Sequence, residues 1–290
     1  MSPDPEILRL AAFTDVPGGG NPAGVVLDAG ALDDAAMQAI AADVGYSETA
    51  FLTGGADREY DVRYFSPVAE VPFCGHATIA TAVALAQRDG LGDVLLRTAA
   101  GPVAVRTAAD GDGDDDGARA ITATLTSVDP EVSEIGDADV DAALAALRWT
   151  RDDLDPALPP RVAYAGARHL VLAAASRERL ADLDYDFDEL KSYMSDRDLT
   201  TVDLVWREAA TTFHARNPFP VGGVVEDPAT GAAAAAFGAY LRALGAVTPP
   251  VRVTVHQGDD MGRPSRLLID LEPGRAAVQV TGGAVRIPHA

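Results

Sequence analysis

The 290 residues, 48% of them hydrophobic, can bury one large core or two of roughly 100–150 residues each, and two lobes are the expected organisation. Acidic residues outnumber basic ones 44 to 23, for a formal net charge of -21, which repels nucleic acid and anionic membrane surfaces and excludes both as expected partners. No run approaches the roughly 18 apolar residues of a membrane span, and the start Met1-Ser2-Pro3-Asp4-Pro5-Glu6 has neither a basic n-region nor an apolar h-region, so a soluble, cytoplasmic protein is expected.

In chain order, Ile7 to Phe13 and Ala23 to Leu27 read as strands around a Gly-Gly-Gly-Asn-Pro turn at 18–22, and Asp33 to Asp43 reads as a helix. Phe51 to Thr53 and Tyr60 to Phe65 read as short strands; Arg63 and Phe65 alternate with Val62 and Tyr64, as in a sheet with one buried face. A helix over 77–88 precedes strand-like stretches at Leu95 to Arg97, Val103 to Arg106 and Ala120 to Leu125. Between the last two lies an Asp/Gly run, 110–117, too polar to pack and read as an exposed hairpin tip. It lacks the terminal glutamate and flanking helices of an EF-hand, which argues against a calcium loop.

Around Val128 to Ile135 the strand pattern gives way to loop, and Val140 to Leu147 reads as a helix. The expected division is therefore an N-terminal lobe of 1–128 plus about 276–290 and a C-terminal lobe of 129–275. The second half repeats the grammar of the first. Arg168 to Ala173, Val202 to Arg207, Thr211 to Arg216, Val251 to His256, Arg266 to Leu271, Val278 to Val280 and Ala284 to Ile287 read as strands; Glu178 to Leu183 and Phe187 to Met194 read as short helices.

Two polar turns open onto Ala-rich helices: Phe73-Cys74-Gly75-His76-Ala77-Thr78 before Ile79 to Arg88, and Glu226-Asp227-Pro228-Ala229-Thr230-Gly231 before Ala232 to Leu244. Each helix start presents bare N–H groups and the positive dipole end, and two such starts facing each other would bind an anion such as a small carboxylic acid. Both helices lack a polar face, so each belongs inside a sheet wrapped around it. The expected fold class is α+β: two similar lobes, each a mixed β-sheet or barrel around a central helix.

With one cysteine, Cys74, the chain can form no internal disulfide and no thiolate cluster. His76, His169, His214, His256 and His289 are scattered without metal-ligand spacing, so no metal is expected. The Gly18-Gly19-Gly20 run lacks the Lys and Ser/Thr of a phosphate loop, no G-x-G-x-x-G opens a helix, and no G-x-S-x-G elbow is present. Thirty-three Asp against 11 Glu, with Lys191 the only lysine, suits a halophilic protein whose self-repulsion is screened by a high-salt cytoplasm.

Asn21-Pro22-Ala23-Gly24-Val25-Val26, Ser47-Glu48-Thr49-Ala50-Phe51, Arg63-Tyr64-Phe65-Ser66-Pro67, Cys74-Gly75-His76-Ala77-Thr78 and Glu226-Asp227-Pro228-Ala229-Thr230-Gly231 stand in order along nearly the whole chain. In these motifs the chain resembles the PhzF-like family, the phenazine-biosynthesis branch of the diaminopimelate epimerase fold. The resemblance implies two pseudo-twofold-related lobes with the last strands returning to the first, a homodimer, no cofactor, and an isomerase site in a cleft between lobes. It also implies Glu48, His76 and Asp227 as catalytic residues, with Asn21, Gly75, Thr78, Thr230 and Gly231 around the substrate. Where many relatives carry a serine after the Thr-Gly pair, this chain has Ala232.

Read from the residues alone, Glu48 precedes an apolar run that could desolvate it and raise its pKa toward a working proton shuttle, but a Glu between Ser and Thr also suits a solvated or capping position. His76 is either a hydrogen-bonding partner of a substrate or a locally bonded first-turn residue. Asp227, without the resemblance, reads as an N-cap or turn aspartate before Pro228. Gly75 and Gly231 allow close approach to backbone amides or simply make turns. Inversion of a stereocentre needs acid and base on opposite faces, and a single cysteine cannot supply a thiol pair, so proton relocation by one carboxylate is expected. A mixed Glu/Cys epimerase or racemase, or a non-catalytic acid-binding protein, are the alternatives. Specificity is expected in the loops 14–22 and 216–226.

Overall fold

The computed structural model describes residues 5–110 and 120–288. The Asp/Gly run read as a hairpin tip lies, beyond Asp110, outside the described residues, as do the first four residues and His289. In chain order the elements are β1 (Leu8–Ala12), β2 (Asn21–Val26), α1 (Asp34–Val44), β3 (Glu48–Ala56), β4 (Glu59–Phe65), β5 (Glu70–Val71), α2 (Gly75–Asp89), β6 (Gly92–Thr98), β7 (Gly101–Asp110) and β8 (Ala120–Thr126). They continue with β9 (Glu131–Glu134), α3 (Asp137–Ala146), β10 (Arg161–Tyr164), β11 (Arg168–Ala173), α4 (Arg177–Ala181), α5 (Phe187–Ser195), β12 (Thr201–Ala209), β13 (Thr212–Phe219), β14 (Val224–Asp227), α6 (Gly231–Ala243), β15 (Val251–Gln257), β16 (Ser265–Leu271) and β17 (Gln279–Arg286).

The chain divides into two compact units, Met1–Thr126 with Thr281–Ala290, and Ser127–Val280. In the first, pairing runs β1–β2–β3–β4–β6–β7–β8–β17 and returns from β17 to β1, a closed barrel that is parallel at β2/β3 and β4/β6. Helix α2 runs inside, touching β1, β2, β3, β7 and β8, and every residue from His76 to Ala86 is buried. A helix so short of polar side chains has no face for water, and closure leaves the barrel no unpaired edge.

On the outside, α1 is capped by Asp33, whose carboxylate accepts from the Ala36 N–H at 2.9 Å, and it ends at Gly45 in the left-handed region. Met37 and Ala41 pack on Val26, Ala29, Phe51 and Phe65. That outer layer changes the reading of β4: Phe65 is buried like Val62 and Tyr64, because α1 covers the side that alternation assigned to solvent.

In the second unit the ladder runs β9–β10–β11–β12–β13–β15–β16, parallel at β11/β12 and β13/β15 and antiparallel elsewhere. Helix α6 touches β9, β10, β11, β12 and β16, so the sheet curls around it from one end of the ladder to the other. Residues Ala233 to Leu241 are buried. A separate cluster built on Leu144, Leu147, Trp149, Leu190 and Met194 packs α3 and α5 against Leu170, Leu172, Val202 and Leu204 of the sheet.

Four short strands escape sequence reading, the two-residue β5 among them. β9, Glu131 to Glu134, shows no buried residue and exists because it pairs with β10, so the loop expected over 128–135 contains a strand without hydrophobic alternation. β10 and β14 have four residues each. The two terminal strands expected either side of Gly282-Gly283 are one strand, β17. A Cβ on Gly282 would stand 2.2 Å from Cδ1 of Phe13, so the glycine admits the Phe13 ring and makes no turn.

Candidate active site

Glu48 is the first residue of β3, opposite Ala23 of β2 in a parallel pair, and Asn21 begins β2. Cys74 and His76 come from the entrance to α2, where Cys74 is the N-cap residue and contributes no side-chain cap. The barrel therefore carries three chemistry-bearing side chains to one place. Cys74 Sγ donates toward Glu48 Oε2 at 3.4 Å and lies 3.3 Å from His76 Nδ1, while His76 Nε2 stands 3.4 Å from the same Glu48 oxygen. Asn21 Nδ2 is 3.1 Å from His76 Nδ1, and Ser47 Oγ is 3.4 Å from Nε2.

The Glu48 side chain keeps 16% of its surface exposed and that of His76 7%, so both reach solvent only at a tip. Burial pushes the Glu48 carboxyl above the ordinary glutamate value, and the hydrogen bonds from Ser47 and Cys74 pull it partly back. A donor at His76 Nδ1 makes that nitrogen the acceptor and leaves the ring proton on Nε2, toward Glu48 and Ser47, in the orientation assigned to Asn21. The three leading N–H groups of α2, from Gly75 to Ala77, have no acceptor within the helix.

Thr78 stands elsewhere. It is fully buried, and its hydroxyl bonds Tyr64 Oη at 2.7 Å and the Cys74 carbonyl at 2.7 Å. Its place is to lock the first turn of α2 onto β4, and it offers no hydroxyl to a ligand.

In the second unit, Asp227 ends β14, Thr230 is the N-cap of α6 and Gly231 its first residue. Thr230 Oγ1 donates to Asp227 Oδ2 at 2.5 Å in place of capping the helix. Gln257 ties the turn down: its Nε2 donates to the Asp227 carbonyl at 2.7 Å and to Thr230 Oγ1 at 3.0 Å, and its Oε1 accepts from the Thr230 N–H at 3.1 Å. Ser265 Oγ holds the Pro228 carbonyl at 3.0 Å. Gly258, at φ +78°, must be glycine, since a Cβ would sit 2.8 Å from the Pro228 oxygen and 2.4 Å from that of Arg263. Ala232, the second helical residue, is partly exposed and brings only a methyl group.

Sequence reading missed a buried polar chain beneath this turn. His169 Nδ1 lies 2.8 Å from Thr201 Oγ1, Thr201 donates to Asn217 Oδ1 at 2.7 Å, and Asn217 Nδ2 donates to Asp203 Oδ1 at 3.0 Å. Asn217 pairs with Asp227 across β13 and β14. The available signal was Asp203 itself, a charge within the apolar run Thr201 to Trp206. Arg216 and Glu226 form a bidentate pair alongside, at 3.0 and 2.5 Å.

Residues 10–290 match the family described as phenazine biosynthesis-like proteins, PhzC-PhzF. The chain belongs to this family. It is 33% identical over 298 residues to an uncharacterised isomerase, YddE, of Escherichia coli O157:H7, covering 99% of this chain and 97% of that one. It is 31% identical over 284 residues to the trans-2,3-dihydro-3-hydroxyanthranilate isomerase of Pseudomonas fluorescens, covering 95% of each chain. Among solved structures, a predicted epimerase from Pseudomonas aeruginosa superposes with a TM-score of 0.84 at 29% identity, over 99% of this chain and 98% of that one. A hydroxyproline epimerase from Agrobacterium vitis superposes with a TM-score of 0.62 at 16% identity, over 97% and 90%, which extends the likeness in fold to the epimerases. As a PhzC-PhzF member the chain is an isomerase with the diaminopimelate epimerase-like α+β fold. Among the described residues no helix is long and apolar enough to cross a membrane.

Proposed function

We propose that the protein is a cofactor-independent isomerase that moves a proton between two carbons of a small carboxylic acid, with Glu48 as the single acid/base. The observation that carries this reading is the Glu48 carboxylate itself, desolvated enough to hold a proton more tightly than ordinary glutamate and bordered by the hydrogen-bonding groups of Cys74, His76 and Ser47. A carboxylate of raised basicity takes the proton from an activated C–H and returns it, as the acid, to a second carbon on the same face. His76 Nε2–H orients the carboxylate and bonds a polar group of the substrate. Gly75, at the start of α2, lets a substrate carboxylate approach the positive end of that helix. Asn21 sets the His76 tautomer.

The geometry of the barrel unit weighs against the Glu/Cys two-base alternative. An acid and a base on opposite faces of one carbon, each about 3–3.5 Å from it, stand about 6–7 Å apart. Cys74 Sγ and Glu48 Oε2 are 3.4 Å apart, close enough only to act from one side.

The methyl of Ala232 favours a substrate other than trans-2,3-dihydro-3-hydroxyanthranilate, the compound in the name of the Pseudomonas fluorescens relative. The protein is further proposed to be a cytoplasmic homodimer. Incubation with candidate unsaturated and hydroxy acids in deuterated water tests the chemistry: label should enter at the receiving carbon with the configuration of any stereocentre kept, and Glu48→Gln should abolish it without loss of fold. Label appearing with inversion at the carbon that lost its proton would overturn the one-base reading.

A further inference from the structure

Sequence spacing shows no metal site, yet the fold brings a carboxylate, a thiol and an imidazole together from two elements 26 residues apart. One ligand atom from each of Glu48, Cys74 and His76 lies within 4.8 Å of the others. The edges of that triangle are 3.4 Å for Sγ to Oε2, 3.4 Å for Nε2 to Oε2 and 3.8 Å for Sγ to Nε2. A tetrahedral zinc ion bound at about 2.3 Å to sulfur and about 2.0–2.1 Å to nitrogen and oxygen separates its ligands by about 3.3–3.6 Å. The observed edges agree to within a few tenths of an ångström.

We propose that Glu48 Oε2, Cys74 Sγ and His76 Nε2 form a three-ligand site for a borderline-soft divalent cation of the zinc class, and that its occupancy withdraws Glu48 from proton transfer. The ligand set selects the metal: thiolate plus imidazole suits zinc, whereas magnesium and calcium require more oxygens than the single carboxylate here. Three protein ligands leave a fourth position for water or a substrate oxygen.

Binding releases the Cys74 thiol proton to solvent, and the His76 ring proton moves from Nε2 to Nδ1. Asn21 accommodates the second change. Rotation of its amide presents Oδ1 in place of Nδ2, 3.1 Å from His76 Nδ1, and converts a donor into the acceptor that metal-bound histidines use. Ser47 Oγ, near Nε2, borders the same face.

The inhibition rests on Glu48 being the proton carrier, whereas the binding does not, and two measurements separate them. Untagged protein titrated with zinc should bind one equivalent, and with Co2+ should give tetrahedral visible bands and a sulfur-to-cobalt charge-transfer band in the near ultraviolet. Cys74→Ser, its fold checked by circular dichroism, should lose the charge-transfer band, and Glu48→Gln or His76→Gln should each weaken zinc binding tenfold or more. No stoichiometric binding, or a cobalt spectrum indifferent to Cys74→Ser, overturns the site and leaves the proton-transfer reading standing. Solvent-label incorporation should fall in proportion to zinc occupancy and return with a chelator. Full turnover at full occupancy overturns the inhibitory role and counts against Glu48 as the proton carrier.

Discussion

Asn217 donates its amide N–H to Asp203 across 3.0 Å, and both residues are at least 98% withdrawn from solvent. At the other end of the same chain of bonds stands His169, fully buried, with no partner for Nε2 among the described residues. Burial raises the Asp203 carboxyl from 3.8 to about 7 and lowers His169 from 6.5 to about 3. Between pH 4 and 7 the unfolded chain ionises Asp203 while the folded one keeps it protonated, so this group removes stability as pH rises. Between pH 3 and 6.5 the unfolded chain protonates His169 while the folded one does not, so this group adds stability as pH rises.

The two slopes oppose each other over about pH 4 to 6.5, and each is bounded by about 1.4 kcal/mol per pH unit. Asp203→Asn should therefore leave a protein whose denaturant midpoint climbs with pH through that window, steeper than wild type. His169→Gln should do the reverse. Parallel pH profiles for wild type and Asp203→Asn would show that the carboxyl ionises normally in the fold.

Gly238 lies in the middle of α6, where helix propensity alone makes alanine better by about 1 kcal/mol. Here a Cβ would stand 2.6 Å from Ile269 Cγ2 and 3.1 Å from Val278 Cγ1, against side chains that are themselves fully buried. Overpacking of that kind costs about 1–3 kcal/mol. Gly238→Ala should destabilise despite the gain in propensity, and a rise in the urea midpoint would show that the sheet yields around α6.

What the sequence disclosed follows from how local each signal is. The helices α2 and α6 were legible because eleven consecutive buried residues in one, and nine in the other, leave no polar face, and a turn motif opens each. The burial of Glu48 was legible in the apolar run that follows it. The His169–Thr201–Asn217–Asp203 chain draws its members from three strands with no spacing to announce them, and only the charge of Asp203 in an apolar run hinted at it. β9 was invisible because Glu131, Ser133 and Glu134 are exposed and the strand is set by its pairing with β10, with no hydrophobic alternation to announce it. Thr78 was placed around the substrate by the resemblance alone, and motif position does not reveal that its hydroxyl is engaged by Tyr64.

The acid limb of the reaction should report Glu48, and it should lie above the ordinary glutamate value because burial raises that carboxyl. Cys74 acts on it from 3.4 Å, its S–H bond favouring the ionised form. Cys74→Ala removes that donor, so the limb should move to still higher pH while turnover on the alkaline side of the limb stays within about tenfold of wild type, the loss expected for one hydrogen bond of about 1–1.5 kcal/mol. A loss of 100-fold or more across all pH values would make the thiol a reacting group.

Salt should stabilise the fold. The net charge of -21 sets many acidic groups against one another, whereas ion pairs such as Arg97 with Glu59 and Asp61, or Arg106 with Asp93, are exposed and contribute little. Raising ionic strength from 0.1 M to about 1 M shortens the screening length from about 10 Å to about 3 Å. The longer-range repulsions vanish first, and contact pairs at 2.6–2.8 Å survive in larger part. Tm in potassium chloride should therefore climb, by about 2 °C for each kcal/mol of repulsion relieved. A Tm that falls between 0.1 and 1 M would mean that the Arg–carboxylate pairs outweigh the repulsion, and that the acidic surface is not adapted to high salt.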